Sequence, residues 1–198
     1  IREYLNHHKV SSSLSMLENE KETIAKQIQY LQKLKKNVEH RLNNIHSALS
    51  LPLEEICFIK IPPRHCHRLP EGYEHEEEMD LLIKQLINLN QQRLYIIGSN
   101  QIGTVISLPT LLNKKTLSYQ SVFLIDEEGP DIIQGGNYLC VTYRGDYKQS
   151  SRWGQELIQY ARSHNFEILG NLLEILWIDI HTTSEESEYI TQLQLPVR

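Results

Sequence analysis

From Ser15 to Leu49 the chain contains neither proline nor glycine, and its apolar residues Leu17, Ile24, Ile28, Leu31, Val38, Leu42, Ile45 and Leu49 follow alternating steps of three and four. That spacing predicts one long helix with a coiled-coil seam, closed by Pro52. Ser15 and Glu18 stand three apart at its start, the spacing of a capping box. A helix over 15–49 would run to about 50 Å, longer than a domain of this size can cover, so the seam needs a partner. A second copy of the chain is one; the chain's own domain, packed lengthwise, is the other, and the length favours the second copy. Two seam positions are lysines, Lys21 and Lys35. They would face their own copies in a parallel zipper, whereas an antiparallel or locally open pairing tolerates them.

After Pro52 the chain reads as one pattern repeated. Residues 54 to 61, EEICFIKI, predict a strand ended by Pro62 and Pro63, and residues 76 to 90 a helix with Met79, Leu82, Ile83 and Leu86 on one face. Strand-like stretches follow at Leu94 to Ile106, broken internally at Gly98 and Gly103, and at Ser121 to Asp126. After the turn-rich Glu127 to Gly136 the order recurs. A strand covers Asn137 to Tyr143, a helix runs from about Ser151 to His164 with Trp153, Leu157, Tyr160 and Ala161 aligned, and strands cover Glu167 to Asp179 and Glu188 to Leu195. The fold class this predicts is α+β: a long N-terminal coiled-coil helix followed by a duplicated β-α-β-β domain, with a mostly antiparallel sheet and two helices on one face. The division falls into a linker and dimerisation helix over residues 1–50 and a domain over 51–198. The uncovered sheet face is expected to be concave, the usual form of a small-molecule site.

Totals narrow the classes. A chain of 198 residues, 40% of them hydrophobic, supports one core with one element outside it. No window approaches the run of about eighteen apolar residues that a bilayer crossing needs, and no secretory pattern opens the chain. A cytoplasmic protein with no membrane partner is expected. Cys57, Cys66 and Cys140 are an odd number in a chain large enough to fold without staples, and they read as reduced thiols. Residues 1–50 hold eight Lys/Arg against five Asp/Glu, and residues 51–198 twelve against twenty. The larger, acidic piece is a poor binder of phosphates; its acidity suits cationic ligands and ordinary solubility alike.

Glu174 is the first candidate for chemistry, because it interrupts LLEILWI, a strand otherwise apolar throughout. An ionised carboxylate there is costly unless paired or hydrated; its partner is a ligand cation, an intramolecular group, or water at a sheet edge. Alternation sets Leu172, Glu174, Leu176 and Ile178 on one face and Leu173, Ile175, Trp177 and Asp179 on the other. If Glu174 points into the cleft, Leu176 lines it and Trp177 packs under the helices. Ten tyrosines against three phenylalanines provide rings with a polar tip, and Tyr138, Tyr143 and Tyr189 lie on strands expected to flank Glu174. Aromatic faces beside a carboxylate suit lipophilic cations. Tyr138 and Tyr143 are five apart, so both line one cavity only if the strand is bulged or one lies at the rim.

Other constellations carry less. His65-Cys66-His67 with Cys57 nearby lacks the spacing of a metal site, and His7-His8 is an isolated pair. The acidic run Glu71, Glu74, Glu76, Glu77, Glu78 and Asp80 reads as the solvated start of a helix. No nucleophile elbow, phosphate loop or Cys-His arrangement at the spacing of a catalytic family is present, so no enzyme, cofactor or metal is expected. A glutamate flanked by tyrosines keeps hydrolysis of a small electrophile as an alternative.

The runs Gly170 to Asp179, GNLLEILWID, and Glu188 to Val197, EYITQLQLPV, resemble the closing strand pair of gyrase-inhibitor-like effector domains, and Gly136 to Gly145, GNYLCVTYRG, resembles the strand that opens the second half of that domain. Ile1-Arg2-Glu3-Tyr4-Leu5, leading into the long helix, is similar to the linker and dimerisation helix of MerR-family regulators, in particular their multidrug-sensing, BmrR-like branch. The resemblance covers nearly the whole chain and rests on the order and spacing of short motifs. It implies the effector-binding and dimerisation region of a bacterial transcription regulator: a homodimer through the helix at 15–49 and a lipophilic cationic or aromatic effector bound at Glu174, Tyr143, Tyr138, Tyr189 and Leu176. DNA contacts would be made only through a winged helix-turn-helix domain that no part of this chain resembles. Leu176 departs from the pattern, since many relatives carry a tyrosine there. A free-standing small-molecule-binding module is the remaining alternative.

Overall fold

The structure, a computed structural model, describes residues 10–70, 72, 78, 81–82, 84–86, 101–113 and 117–198. The expectations resting on residues 1–5, on His7 and His8, on Met79 and Ile83, on the strand-like stretch over 94–100 and on most of the acidic run lie outside the described residues. Helix α1 spans Val10–Ser50, so Ser15 and Glu18 lie inside it and form no cap. The reason is in the seam itself: Val10 and Leu14 continue the ladder of threes and fours backwards, and no proline or glycine interrupts it. By contacts the chain divides into two units, one ending at Glu39 and one over His40–Arg198. In the first, Val10, Leu14, Leu17, Ile24, Ile28, Leu31 and Val38 are all exposed. No helix among the described residues is long and apolar enough to cross a membrane.

The second unit is an eight-stranded sheet: β1 Ile56–Ile61, β2 Arg64–Leu69, β3 Ile102–Ile106, β4 Tyr119–Ile125, β5 Asp131–Ile133, β6 Gly136–Arg144, β7 Leu172–Ile178 and β8 Ile190–Val197. Short α2 (Leu108–Leu112) follows β3, and α3 (Gln149–Ser163) joins β6 to β7. Helical residues also occur at 78, 81–82 and 84–86, between β2 and β3. The order in the sheet is β1-β6-β8-β7-β3-β4-β2-β5, with every named pairing antiparallel.

This order corrects one expectation and sharpens another. The duplication is real, but its first half opens with β2, which lies beyond Pro62-Pro63, and not with EEICFIKI. The halves are then β2-β4-β3 and β7-β8-β6, mirrored across the β3–β7 seam, while β1 and β5 are additions at the two edges. At the seam Thr104 stands opposite Glu174, Ile102 opposite Leu176 and Ile106 opposite Leu172.

Both helical segments cover one sheet face, as expected. Trp153, Leu157, Ile158 and Ala161 of α3 pack with Leu139, Val141, Leu193 and Leu195; Leu82 and Leu86 pack with Ile102, Val122, Leu124 and Leu176. The second face does not lie open. Cys66, Val105, Phe123, Ile133, Cys140, Leu173 and Ile175 form a buried cluster on it. Arg64 of β2 donates to Gln194 Oε1 of β8 at 2.7 Å, although those strands are not neighbours in the sheet. A twisted sheet of this many strands curls, and here the curl closes the second face on itself. Trp177 falls on that side, partly buried against Ile45, Ala48, Ile178 and Ile190, and so does not pack under α3. Gly103 shows how tight the enclosure is: a Cβ there would meet the Phe123 ring at 2.3 Å and the Glu174 carbonyl oxygen at 2.6 Å.

Candidate functional site

Glu174 stands at the middle of β7 and is 2% exposed. It lies on the helix-covered face, between the cluster under α3 and the one that holds Leu82 and Leu86. Two hydroxyls hold the carboxylate. Thr104 donates to Oε2 at 2.9 Å from the facing strand, and Ser150, in the first turn of α3, donates to Oε1. Ser150 is itself fully buried and has one proton to give, so the 2.5 Å contact between it and the Tyr143 hydroxyl runs from tyrosine to serine. The result is a buried relay from Tyr143 through Ser150 to Glu174. Burial pushes the Tyr143 phenol above its ordinary range and the Glu174 charge acts in the same direction, while its hydrogen bond to Ser150 works against both. Tyr143 therefore remains a proton donor at neutral pH.

Next to this relay lies an apolar and aromatic wall: Leu176, Tyr189, Tyr147 and Ile102 with Leu82 and Leu86. Tyr147 and Tyr189 stack with centroids 5.2 Å apart and planes at 21°. The Tyr147 hydroxyl is buried beside the Ile180 backbone and makes no hydrogen bond of good geometry among the described residues. Burial raises its phenol first, and the charge of Asp179 adds to the effect. Asp179, just past β7, is held by the Thr182 hydroxyl and the His181 N–H, each at 3.1 Å, and Arg41 of α1 donates to that same Thr182. Chemically the site combines a shielded carboxylate, stacked π faces and a buried phenol hydroxyl. Groups of these types are able to accommodate a flat or lipophilic cation.

Of the five residues singled out in the sequence, Glu174, Tyr143, Tyr189 and Leu176 come together on this face. Tyr138 does not: an odd number of residues from Tyr143 in an unbroken strand, it takes the opposite face, where its hydroxyl donates to Gln134 O at 2.6 Å. Sequence reasoning passes over Thr104, Ser150 and Tyr147. A signal exists for Thr104, since laying the two halves over one another brings it onto the position of Glu174. Ser150 and Tyr147 carry none, because a serine and a tyrosine at a loop-to-helix junction look solvated. No group of His, Cys, Asp and Glu among the described residues is arranged to hold a metal ion. His65 and His67 turn instead to Gly129 O at 3.1 Å and Asp126 at 3.0 Å.

Fold and site together define a class: an α+β domain of two mirrored β-α-β-β halves, with a buried acid at their junction and a long helix before it. No protein-family model matches the chain, and no curated protein matches it. Among solved structures it is similar to EcmrR as seen in the cryo-EM structure of the EcmrR–DNA complex in EcmrR-RPo, with a TM-score of 0.60 and 16% identity over 93% of this chain and 72% of that one. It is similar to the crystal structure of the EcmrR C-terminal domain, with a TM-score of 0.57 and 13% identity over 73% of this chain and 97% of that one. An uncharacterized conserved protein from Listeria innocua matches with a TM-score of 0.51 and 13% identity over 77% of this chain and 96% of its own. At these identities the likeness is one of fold. A match over 93% reaches into the long helix, because the residues after Ser50 make up about three quarters of the chain.

Proposed function

We propose that this chain is the effector-binding and dimerisation region of a bacterial transcription regulator, and that its domain binds a small lipophilic cation or aromatic molecule at Glu174, Tyr143, Leu176, Tyr189 and Tyr147. The observation that carries this reading is the environment of Glu174, a carboxylate almost wholly removed from water, oriented by two neutral hydroxyls and bordered by stacked tyrosines. The Thr104 and Ser150 hydroxyls orient the carboxylate oxygens without themselves neutralising the charge, and a carboxylate in apolar surroundings attracts a cation. The sequence resemblance to MerR-family regulators and the fold shared with EcmrR, solved in complex with DNA, point the same way.

In the intact protein, α1 pairs two copies through its exposed apolar stripe, and a preceding domain contacts DNA. Effector binding then shifts the dimer between DNA-bound conformations by its differential affinity for them. The test is a thermal-shift panel of lipophilic cations, neutral aromatics and anions. A cation at about a hundred times its Kd should stabilise the folded state by about 2.7 kcal/mol, and anions should not. Turnover of activated esters that Glu174→Ala abolishes would replace this reading with a hydrolase.

A further inference from the structure

Cys57 on β1 and Cys140 on β6 stand directly opposite one another in the antiparallel register, and both are thiols. Opposed residues on antiparallel strands have Cα atoms about 4.5 to 5.5 Å apart, with side chains on the same face. A disulfide needs Cα atoms about 4.4 to 6.8 Å apart. The Cα spacing of opposed residues therefore falls within the range that a disulfide spans. Cys66, the third thiol, stands opposite Ile125 and Asp131 and has no such partner in its register.

The two thiols of the pair are unequal in a way that gives each a role. Cys57 is half-buried on an edge strand that has a sheet neighbour on one side only. Cys140 is 1% exposed, and burial pushes its thiol up to about 12 in spite of the nearby Arg64 guanidinium. A solute reaches Cys57 first, and Cys140 waits behind it.

We propose that Cys57 and Cys140 form a reversible cross-strand disulfide when the protein meets a peroxide-class oxidant. The Cys57 thiolate attacks a peroxide oxygen, the O–O bond breaks, and hydroxide leaves as water after protonation; Cys57 becomes a sulfenic acid. The Cys140 sulfur then attacks the Cys57 sulfur, the S–O bond breaks, and the departing hydroxide takes the Cys140 proton as a second water. Two thiols lose two electrons and one peroxide gains them. Cβ atoms of opposed residues lie about 4.5 to 5.5 Å apart, wider than the roughly 3.8 Å of a relaxed disulfide. Closing the bond draws β1 towards β6, and such a bond is easily reduced again. The chain enters β1 six residues after α1 ends, so the staple ties down the first strand beyond the helix. Cys140 neighbours Gln194, which neighbours Leu173 on the second sheet face. The Glu174 contacts are on the other face, so this inference is independent of the effector reading.

The test uses the full chain exposed to hydrogen peroxide, quenched with iodoacetamide and mapped by mass spectrometry without reductant. The expected product has lost two hydrogens, links the Cys57 peptide to the Cys140 peptide, and reverts with dithiothreitol. In the reduced native protein Cys57 should alkylate at least about tenfold faster than Cys140. Cys57→Ala, at a half-buried edge position, should keep the fold and abolish the link, and Cys66→Ala should leave it intact. The proposal is overturned if Cys57 passes to sulfinic acid while Cys140 stays a thiol, if the link joins Cys57 of two chains, or if Cys66 takes part in it. Faster alkylation of Cys140 than of Cys57 would overturn the assigned order of attack.

Discussion

The two β-α-β-β halves meet at β3 and β7, and around that seam residues seventy apart occupy equivalent places. Ile102 corresponds to Leu172, Val105 to Ile175 and Ile106 to Leu176, so both strands keep their apolar positions. They part at two neighbouring places, Gly103 against Leu173 and Thr104 against Glu174. The first difference is steric, because the Phe123 ring lies where a side chain at 103 would begin. The second is electrostatic: one half presents a hydroxyl, the other a carboxylate, and the hydroxyl serves the carboxylate. A duplicated architecture is held by what its halves share, and its chemistry arises where they differ.

The largest expected effect comes from erasing the electrostatic difference. Glu174→Gln preserves shape and removes charge, and a bound lipophilic cation should lose on the order of 2 to 5 kcal/mol, or about thirty- to several-thousand-fold in affinity. Thr104→Val, the matching change in the other half, should cost about 1 kcal/mol. Calorimetric titration of both variants decides the point, and equal losses would end the claim that the halves are chemically unequal. Next comes the steric difference. Gly103→Ala should destabilise the fold by about 1 to 3 kcal/mol in urea unfolding, since ring and strand must both move; a neutral result would mean that Phe123 yields freely. Tyr143→Phe removes the donor behind Ser150 and should cost about 0.5 to 1.5 kcal/mol, with Trp153, buried on the same face, as the fluorescence reporter.

The last effect is alkaline. Burial raises the folded thiol of Cys140 to about 12, so the native state keeps a proton that the unfolded chain gives up near the ordinary thiol range. That stability is fully present below the ordinary range and is lost as pH rises towards about 12. Urea midpoints over that window should fall less steeply for Cys140→Ala than for the parent chain. Identical slopes would show that the thiol contributes nothing.

What could be read from the sequence follows the physics of each segment. The second half was legible because its strands are strongly apolar and α3 carries a regular stripe; β6, β7, β8 and α3 lie within a few residues of expectation. The opening strand of the first half was not. RHCHRL has no apolar alternation and follows Pro62-Pro63, and its inward residues Arg64 and Cys66 make sense only once the sheet has curled over them. Glu174 announced itself as a charge in an apolar run. Of its attendants, Thr104 can be found only by laying the two halves over one another, and Ser150 is an ordinary hydroxyl until helix placement brings it within reach. The side of the sheet on which Trp177 falls depends on that same curl, a property of all eight strands together.

The seam between the halves also has a consequence for how the molecule comes into being. Strands β7 and β8 are near neighbours in the chain, so that hairpin closes a short loop and can form early, whereas β6 joins β8 across about fifty residues. The β3–β7 ladder joins residues about seventy positions apart, and the loop-closure entropy of such pairings slows folding. The carboxylate at that seam acquires its Thr104 partner only when the two halves dock, so in a refolding experiment the ability to bind a cation should appear with the last kinetic phase, after α3 has regained its helical signal.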